Sequence, residues 1–439
     1  MRKEEVKSVP SGIITCFINN NEVSVNKISP NSLTVRVVDK IDYKANILVS
    51  FYNFKENKYD DVLVNNFIIE QEIKKEFCYY YTIVIDDSEF EKYEKKSIND
   101  YYRYIMLKNS SLDNDFSREM VNYPSDEDYD FYEYYEEQKK KWINSVNKID
   151  LSLFDVAINI DNYDLYNNYL INTFEDFKND YINNNYLNDK LINLQVGRIY
   201  IGNEYCHNLF PNEKMLFKLM DKAYEENIKI TLCFTYLREY QIEDTKILIN
   251  KIYQWCLKKD IKIEIVINDY GFIKLLNNKT DYFEISLGNL LNKRKRDPRY
   301  IYKKGYIDNK NLMAKNNLNN SIVNKFYNYN NINRYEYESC GYIMEIPKGS
   351  HSLHIPFYQT NTSQFCPLYA RCTTGNRGKQ KLVKKCPNYC RDYVFLYPKH
   401  LMMVGRYNSL FAFDKKIFNE DILKKYYEKG IDRIVLNFK

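Results

Sequence analysis

The sequence lacks the short motifs that mark the commoner enzyme classes. No HExxH, GxSxG, Walker A or GxGxxG pattern occurs in its 439 residues, which disfavours zincin, serine hydrolase, P-loop and Rossmann chemistry. No run approaches the ~20 apolar residues of a bilayer span, so no membrane association is expected. The first residues, MRKEEVKSVPSG, contain no apolar core of a secretory signal. An excess of one charge is missing too. The 64 Lys+Arg face 59 Asp+Glu, a net charge of +5, too near neutral to mark the whole chain as a nucleic-acid binder. Histidine is scarce: His207, His351, His354 and His400 are the four. For a lone His a structural role is the first expectation, although His207 adjoins Cys206 and His354 lies in a strand-like run. The expected location is therefore the cytoplasm, where the ten Cys are expected to be thiols or metal ligands rather than disulfides.

Apolar residues reach 44% and aromatics 16%, with 44 Tyr, enough to bury a core and to exclude global disorder. Three regions follow from the pattern. Residues 1–108 carry short runs rich in Val, Ile, Tyr and Phe (12–17, 32–38, 47–52, 79–85), separated by polar turns and followed by a helical stretch near 91–107. This predicts a small all-β barrel. Residues 109–150 are dense in Asp and Glu and then in Lys, and read as an acidic linker ending in a possible helix. From 151 to 439 apolar strand candidates (154–160, 198–202, 229–234, 262–267, 282–287, 341–346, 352–355, 392–396, 434–438) alternate with helical stretches. Such alternation predicts an α/β fold, a (β/α) TIM-like barrel, possibly incomplete. The Asn-rich residues 315–333 read as an exposed insertion or a disordered loop.

The strongest chemical signal is cysteine. Cys366, Cys372, Cys386 and Cys390 are spaced C-x5-C-x13-C-x3-C, among Pro, Gly and the basic residues Arg377, Lys379, Lys381, Lys384 and Lys385. Thiolates are soft ligands that suit iron–sulfur clusters and zinc. Zinc sites favour paired C-x2–4-C spacings, which only Cys386 and Cys390 match, so a 4Fe-4S cluster is the first reading and zinc the alternative. Cys206 follows the strand-like RIYIG, where (β/α) barrels place their chemistry. Cys16, Cys78, Cys233, Cys256 and Cys340 lie in apolar contexts and read as packing residues. The C-x3-C is not the CxxxCxxC of radical S-adenosylmethionine enzymes.

The segments Asn376–Gly378, with Cys386, Cys390, Arg391 and Tyr393, and IYIGNEYC (residues 199–206) resemble signatures of the collagenase-like peptidase U-32 family, over about residues 151–439. The resemblance implies an incomplete (β/α) barrel. It also implies a 4Fe-4S cluster on four Cys and oxygen-independent hydroxylation of quinone precursors or RNA bases, in some members with a second related subunit. One branch implies Cys206, Cys372, Cys386 and Cys390 as ligands; another places Cys366 in the set. Five candidates thus compete for four places. A peptidase activity rests on the family name alone, since no Ser/His/Asp or metal-water constellation is visible. More weakly, Asn26–Val37 is similar to the DxSxxG strand of PilZ domains, with Lys27 where the acid belongs and Ser32 for Gly. Such a degenerate domain is not expected to bind cyclic di-GMP and implies docking or scaffolding.

Three further sites are candidates. Lys293, Arg294, Lys295, Arg296 and Arg299 follow the strand-like YFEISL and could grip RNA or a small anionic substrate, or form a solvated charge run. Asn268 and Asp269 end another strand; they could face substrate, or Asp269 could cap the next helix. Glu345 reads as a surface carboxylate before an acid or base. The rival to a redox enzyme is a non-enzymatic adaptor with a structural metal.

Overall fold

The computed structural model describes residues 6–7, 12–42, 44–53, 56, 58–109, 129–397 and 401–439; the acidic stretch 110–128 and His400 lie outside the described residues. The chain forms two compact units. The first comprises Met1–Asp128, Asp297–Met313 and Tyr397–Leu401; the second comprises Tyr129–Arg296, Ala314–Leu396 and Met402–Lys439.

The first unit is an antiparallel all-β domain. Its sheet runs in the order Lys58–Val64, Ile47–Asn53, Ile14–Ile18, Asn21–Ser29, Ser32–Val37, Cys78–Ile85, Phe67–Lys75. Alternation builds it: in Ser32–Val37 the residues Leu33, Val35 and Val37 are buried while Arg36 between them is exposed. Asn19 and Asn20, both left-handed (φ 49° and 64°), form the tight turn between the second and third segments of the chain that pair. Helix Ser88–Asn109 covers the sheet, with Phe90 edge-on to Phe51 at 5.6 Å. Residues 297–313 belong to this unit although they follow a strand of the second. Tyr306 stacks edge-on against Phe17 at 5.0 Å, and buried Lys303 donates to Thr15 Oγ1.

The second unit is a closed ring of eight parallel strands: Asp155–Ile160, Val196–Gly202, Lys229–Cys233, Ile263–Ile267, Phe283–Leu287, Ile332–Glu338, His351–Thr362 and Ile431–Asn437. The last strand pairs with both the seventh and the first, Val156 lying opposite Ile434. The barrel is therefore complete, and the expectation that it could be incomplete is overturned. The eighth strand does so because both its faces carry residues the ring can bury, all of Ile431–Asn437 except Asp432 being buried. Helices flank the ring. Glu213–Glu225 shows how: Leu216, Leu219, Met220 and Ala223 make one apolar stripe, and Asn212 caps its first turn by accepting from Met215 N.

Two expectations are corrected. The sixth strand is Ile332–Glu338, not 341–346, which is irregular. Residues 315–333 are not a loop: they form the 3-10 turn Asn317–Asn319 and the helix Ser321–Tyr329. The asparagines mislead because Asn316 and Asn320 are caps, while Leu318 and Tyr327 are buried. The strand Tyr393–Leu396 lies outside the ring, in an antiparallel extension with Met403–Arg406 and Ser409–Phe413 that grows from the outer half of the seventh strand.

The interior of the ring holds charge as well as hydrocarbon. Ala157, Tyr200, Cys233, Val266 and Val435 form an apolar cluster. Beside it Arg433 donates to Glu264 (2.7 Å) and Tyr200 (2.8 Å), and His354 Nε2 lies 2.8 Å from Glu336. Burial works against imidazolium in His354, but the Glu336 carboxylate outweighs it and raises the His354 pKa. A raised folded value stabilises the fold below the unfolded value of 6.5, and the gain is lost as pH rises through the folded value. Wild type is therefore expected to lose more stability than His354→Gln between pH 6 and pH 9, read by urea denaturation across that range; equal losses would remove His354 as the titrating group.

Candidate metal centre

Cys206 and three cysteines from a segment 160 residues further on meet at the carboxyl-terminal end of the ring. Cys206, Cys366, Cys386 and Cys390 line one cavity, together with Leu209, Leu368, Val383 and Tyr407. Each thiol is placed by local backbone chemistry. Cys206 follows the second ring strand. Gly202 there has φ +118°, and a Cβ would lie 2.4 Å from the Cys233 carbonyl oxygen, so the chain turns tightly out of the ring. Asn203 then accepts from the backbone N–H of Tyr205 and Cys206, both at 2.9 Å, which fixes the turn. Cys366 caps the helix Pro367–Thr374: its Sγ accepts from Tyr369 N at 3.3 Å and donates to Tyr407 O at 3.1 Å. Cys386 Sγ accepts from Asn388 N at 3.4 Å. Asn388, left-handed at φ 63°, turns the chain into the 3-10 turn Tyr389–Arg391, which carries Cys390.

Cys372 does not line this cavity. It lies on the helix Pro367–Thr374 that Cys366 caps, and its charge still acts on the Cys366 thiol. Burial raises the thiol of Cys206 to about 12 and that of Cys366 to about 11, and lifts Cys390 well above its usual range. Without a metal these three are neutral thiols; a bound metal ion deprotonates a coordinating thiol outright.

One buried cation stands behind the thiols. Arg406 is 8% exposed. Its Nε donates to Cys390 O at 3.3 Å and its NH1 to Tyr132 OH at 3.2 Å, and the guanidinium lies 4.4 Å from the Tyr132 ring centre and 5.2 Å from that of Tyr407. Among the described residues no carboxylate forms an ion pair with it; Asp161 is taken by Lys439 Nζ at 2.6 Å and Tyr407 OH at 3.0 Å. A buried charge needs a counter-charge, and the groups whose charge acts on Arg406 are Tyr132 and Tyr407, then the Cys390 thiol and Asp161. Arg406 and Tyr407 escape a reading of the sequence. The available signal is an Arg inside the apolar run MVGRYNSLFAF.

The cysteines read as packing residues are Cys16, Cys233, Cys256 and Cys340, all buried, and Cys78, part-exposed. His207 borders the site, with Nε2 3.2 Å from Val383 O, and burial lowers its pKa. His351 stacks flat on Tyr335 at 4.9 Å and accepts from Tyr335 N, a structural role.

The other candidates are engaged inside the protein. Asn268 donates to Glu204 Oε2 (3.0 Å) and Phe234 O (2.9 Å) and accepts from Leu290 N (2.8 Å). Asp269 accepts from Gly271 N (2.7 Å) and Leu237 N (3.2 Å), at the start of the helix Gly271–Leu276. Arg294 forms a fully buried pair with Glu338 at 2.5 Å. Arg296 donates to Asn289 O at 2.8 Å and to Asn292 O. Arg299 pairs with Asp297 and belongs to the first unit. The basic run is thus dispersed. The run between Cys372 and Cys386 is not: Lys379, Lys381, Lys384 and Lys385 are all exposed. Glu345 is exposed. Glu204, which the sequence did not single out, is a buried carboxyl raised by burial and held by Asn268 and by Asn289 N.

Comparisons with known protein families, with curated proteins and with solved structures return no match.

Burial alone would raise the Glu338 carboxyl; Arg294 and Arg296 more than offset it and hold the carboxyl below its usual range. Arg294→Met leaves that carboxylate without its ion-pair partner and is expected to cost about 3–5 kcal/mol at neutral pH. The depressed value makes this stabilisation present above pH 4.5 and lost as pH falls through the folded value. Denaturant unfolding of both proteins at pH 7 and pH 4 checks it; an unchanged midpoint at pH 7 would leave Arg294 free to serve a ligand.

Proposed function

We propose that this protein is an iron–sulfur protein resembling the peptidase U-32 family, with a 4Fe-4S cluster held by Cys206, Cys366, Cys386 and Cys390. One observation carries the reading: Cys206 and three thiols of the distant segment 366–390 line a single cavity at the end of the barrel where such folds do chemistry. Thiolates are the donors that iron–sulfur clusters take, although among the described residues no group of three or more His, Cys, Asp or Glu is placed to hold a metal ion. The buried charge of Arg406, with no carboxylate in an ion pair with it, supports a site that carries negative charge. Cys372, which does not line the cavity, is left out of the set.

The cavity is narrow, about 20 Å³, room for about one water. Its wall at Val383 is held by His207 and Asn208, and a cluster needs more room than this space gives. When bound, the cluster supplies one-electron chemistry, and the reading that follows is an oxygen-independent hydroxylation or related modification of an RNA base or a small anionic substrate. The chain's own residues have three tasks. Cys206, Cys366, Cys386 and Cys390 bind. Arg406 holds a positive charge beside Cys390. The exposed lysines between Cys372 and Cys386 attract anions. A second subunit of the same kind is a candidate partner.

Protein purified without oxygen is expected to hold about four iron and four sulfide per chain, with a broad band near ~400 nm. Cys206→Ala, Cys366→Ala, Cys386→Ala and Cys390→Ala should each lose most of the iron, while Cys372→Ala keeps it. One zinc and no iron would sink the redox reading and favour a metal-stapled adaptor. Arg406→Gln is expected to lower the reduction potential, because a nearby cation favours the more negative reduced state, while Arg406→Lys stays near wild type; a redox titration followed by spectroscopy decides.

A further inference from the structure

A second cleft of the second unit has no task in this reading. It has a volume of about 800 Å³. The turn Tyr389–Arg391 contributes to both the cleft and the thiol cavity. Tyr389 and Cys390 line the thiol cavity, and Arg391 lines the cleft. Arg406 lines the cleft as well and donates to Cys390 O. The volume falls within the 300–1,000 Å³ typical of small-molecule sites.

The cations that line the cleft are matched within the protein. Lys139, only 4% exposed, lies 2.7 Å from Glu136 and 3.2 Å from Asn185 Oδ1, and burial lowers its pKa. Arg391 is 3.4 Å from Asp164, and Lys439 is 2.6 Å from Asp161. Arg406 has the cluster's negative charge as its counterpart if the preceding reading holds, and in that one respect the inference rests on it. An anionic ligand therefore finds no free cation to pair with, while the carboxylates of Glu133 and Asp392 on the lining are exposed. The cleft also offers rings: Tyr132, Tyr181, Tyr186, Tyr393 and Phe438 all reach it. The amides of Asn183 and Asn184, exposed on its lip, offer both donors and acceptors.

Tyr186 is the left-handed residue (φ 58°) that ends the helix Phe174–Asn184: its N–H donates to Asn183 O at 3.0 Å, and Lys140 lies 5.5 Å over its ring.

We propose that this cleft binds an uncharged, planar heteroaromatic ring of two or three fused rings, stacked on tyrosine and read at its edges by the Asn amides. Stacking of bases and related rings on aromatic side chains is worth about 1–3 kcal/mol per ring, which corresponds to roughly 5- to 150-fold in affinity. Any charged substituent on such a ligand would lie outside the cleft. Two sources share this chemistry, a flavin-type ring and a purine nucleoside.

The test is equilibrium binding by calorimetry, on the whole protein, with three probes: lumichrome, adenosine, and benzoate as a charged ring. Lumichrome fluorescence adds a second readout, since stacking on tyrosine quenches it. Lumichrome or adenosine is expected to bind, and which of the two binds tighter names the source. Benzoate is expected to bind at least tenfold more weakly. Tyr186→Gly should weaken binding at least fivefold. It should not lower the thermal midpoint, because Gly accepts the left-handed backbone without strain. Binding is expected to persist in Cys386→Ala, so a failure of the cluster reading leaves a distinct signature. The proposal is overturned if neither uncharged probe binds, if benzoate binds as well as they do, or if Tyr186→Gly leaves the affinity unchanged.

Discussion

Charge buried inside a closed barrel is the constraint on which the second unit depends. Once Ile431–Asn437 completes the ring, whatever points inward is cut off from water, and each inward charge needs a partner across the barrel. Arg433, on the eighth strand, reaches Glu264 on the fourth and Tyr200 on the second. His354, on the seventh, reaches Glu336 on the sixth, which also accepts from Ser286 on the fifth. These pairs tie distant strands together. They explain why the eighth strand carries an Arg in an otherwise apolar run: its charge is spent inside the ring.

The same rule orders the end of the barrel where the cysteines gather. Glu338 and Arg294 form one buried pair, Asp161 and Lys439 another. Arg406 breaks the pattern, since it is buried beside Cys390 and paired with carbonyl, phenol and rings rather than carboxylate. A site that fills with negative charge removes the exception. Arg406 also lines the cleft that Arg391 borders, while its Nε bonds to the carbonyl of Cys390, a residue of the thiol cavity.

The functional reading therefore moves away from the conspicuous basic run and toward a less conspicuous arrangement. Lys293–Arg299 looks like a phosphate grip in the sequence. In the fold its arginines serve a buried carboxylate, two backbone carbonyls and the other unit. Asn268 and Asp269 similarly spend their hydrogen-bonding capacity inside the barrel and at a helix start. The exposed lysines between Cys372 and Cys386 are the cations left for solution partners.

The sequence by itself determined the architecture: an all-β region, then strand–helix alternation closing a barrel. Burial periodicity is local, so a run such as Ile263–Ile267, buried throughout, declares itself without its neighbours. It also marked the cysteine-rich segment and the strand-end Cys206 as one chemical problem. It left Cys206 and Cys366 as rivals, and it misread the Asn-rich 315–333, because asparagine caps a helix as readily as it makes a loop. Only the tertiary structure decided which thiols meet. Cys206 and Cys366 are 160 residues apart in the chain and share one cavity, while Cys372, six residues from Cys366, does not line it. Sequence separation carries no information about proximity once strands from opposite ends of a chain pair side by side. For the same reason Arg406 gave no sign of its role: a charge is informative only when the groups around it, and the water excluded from it, are known.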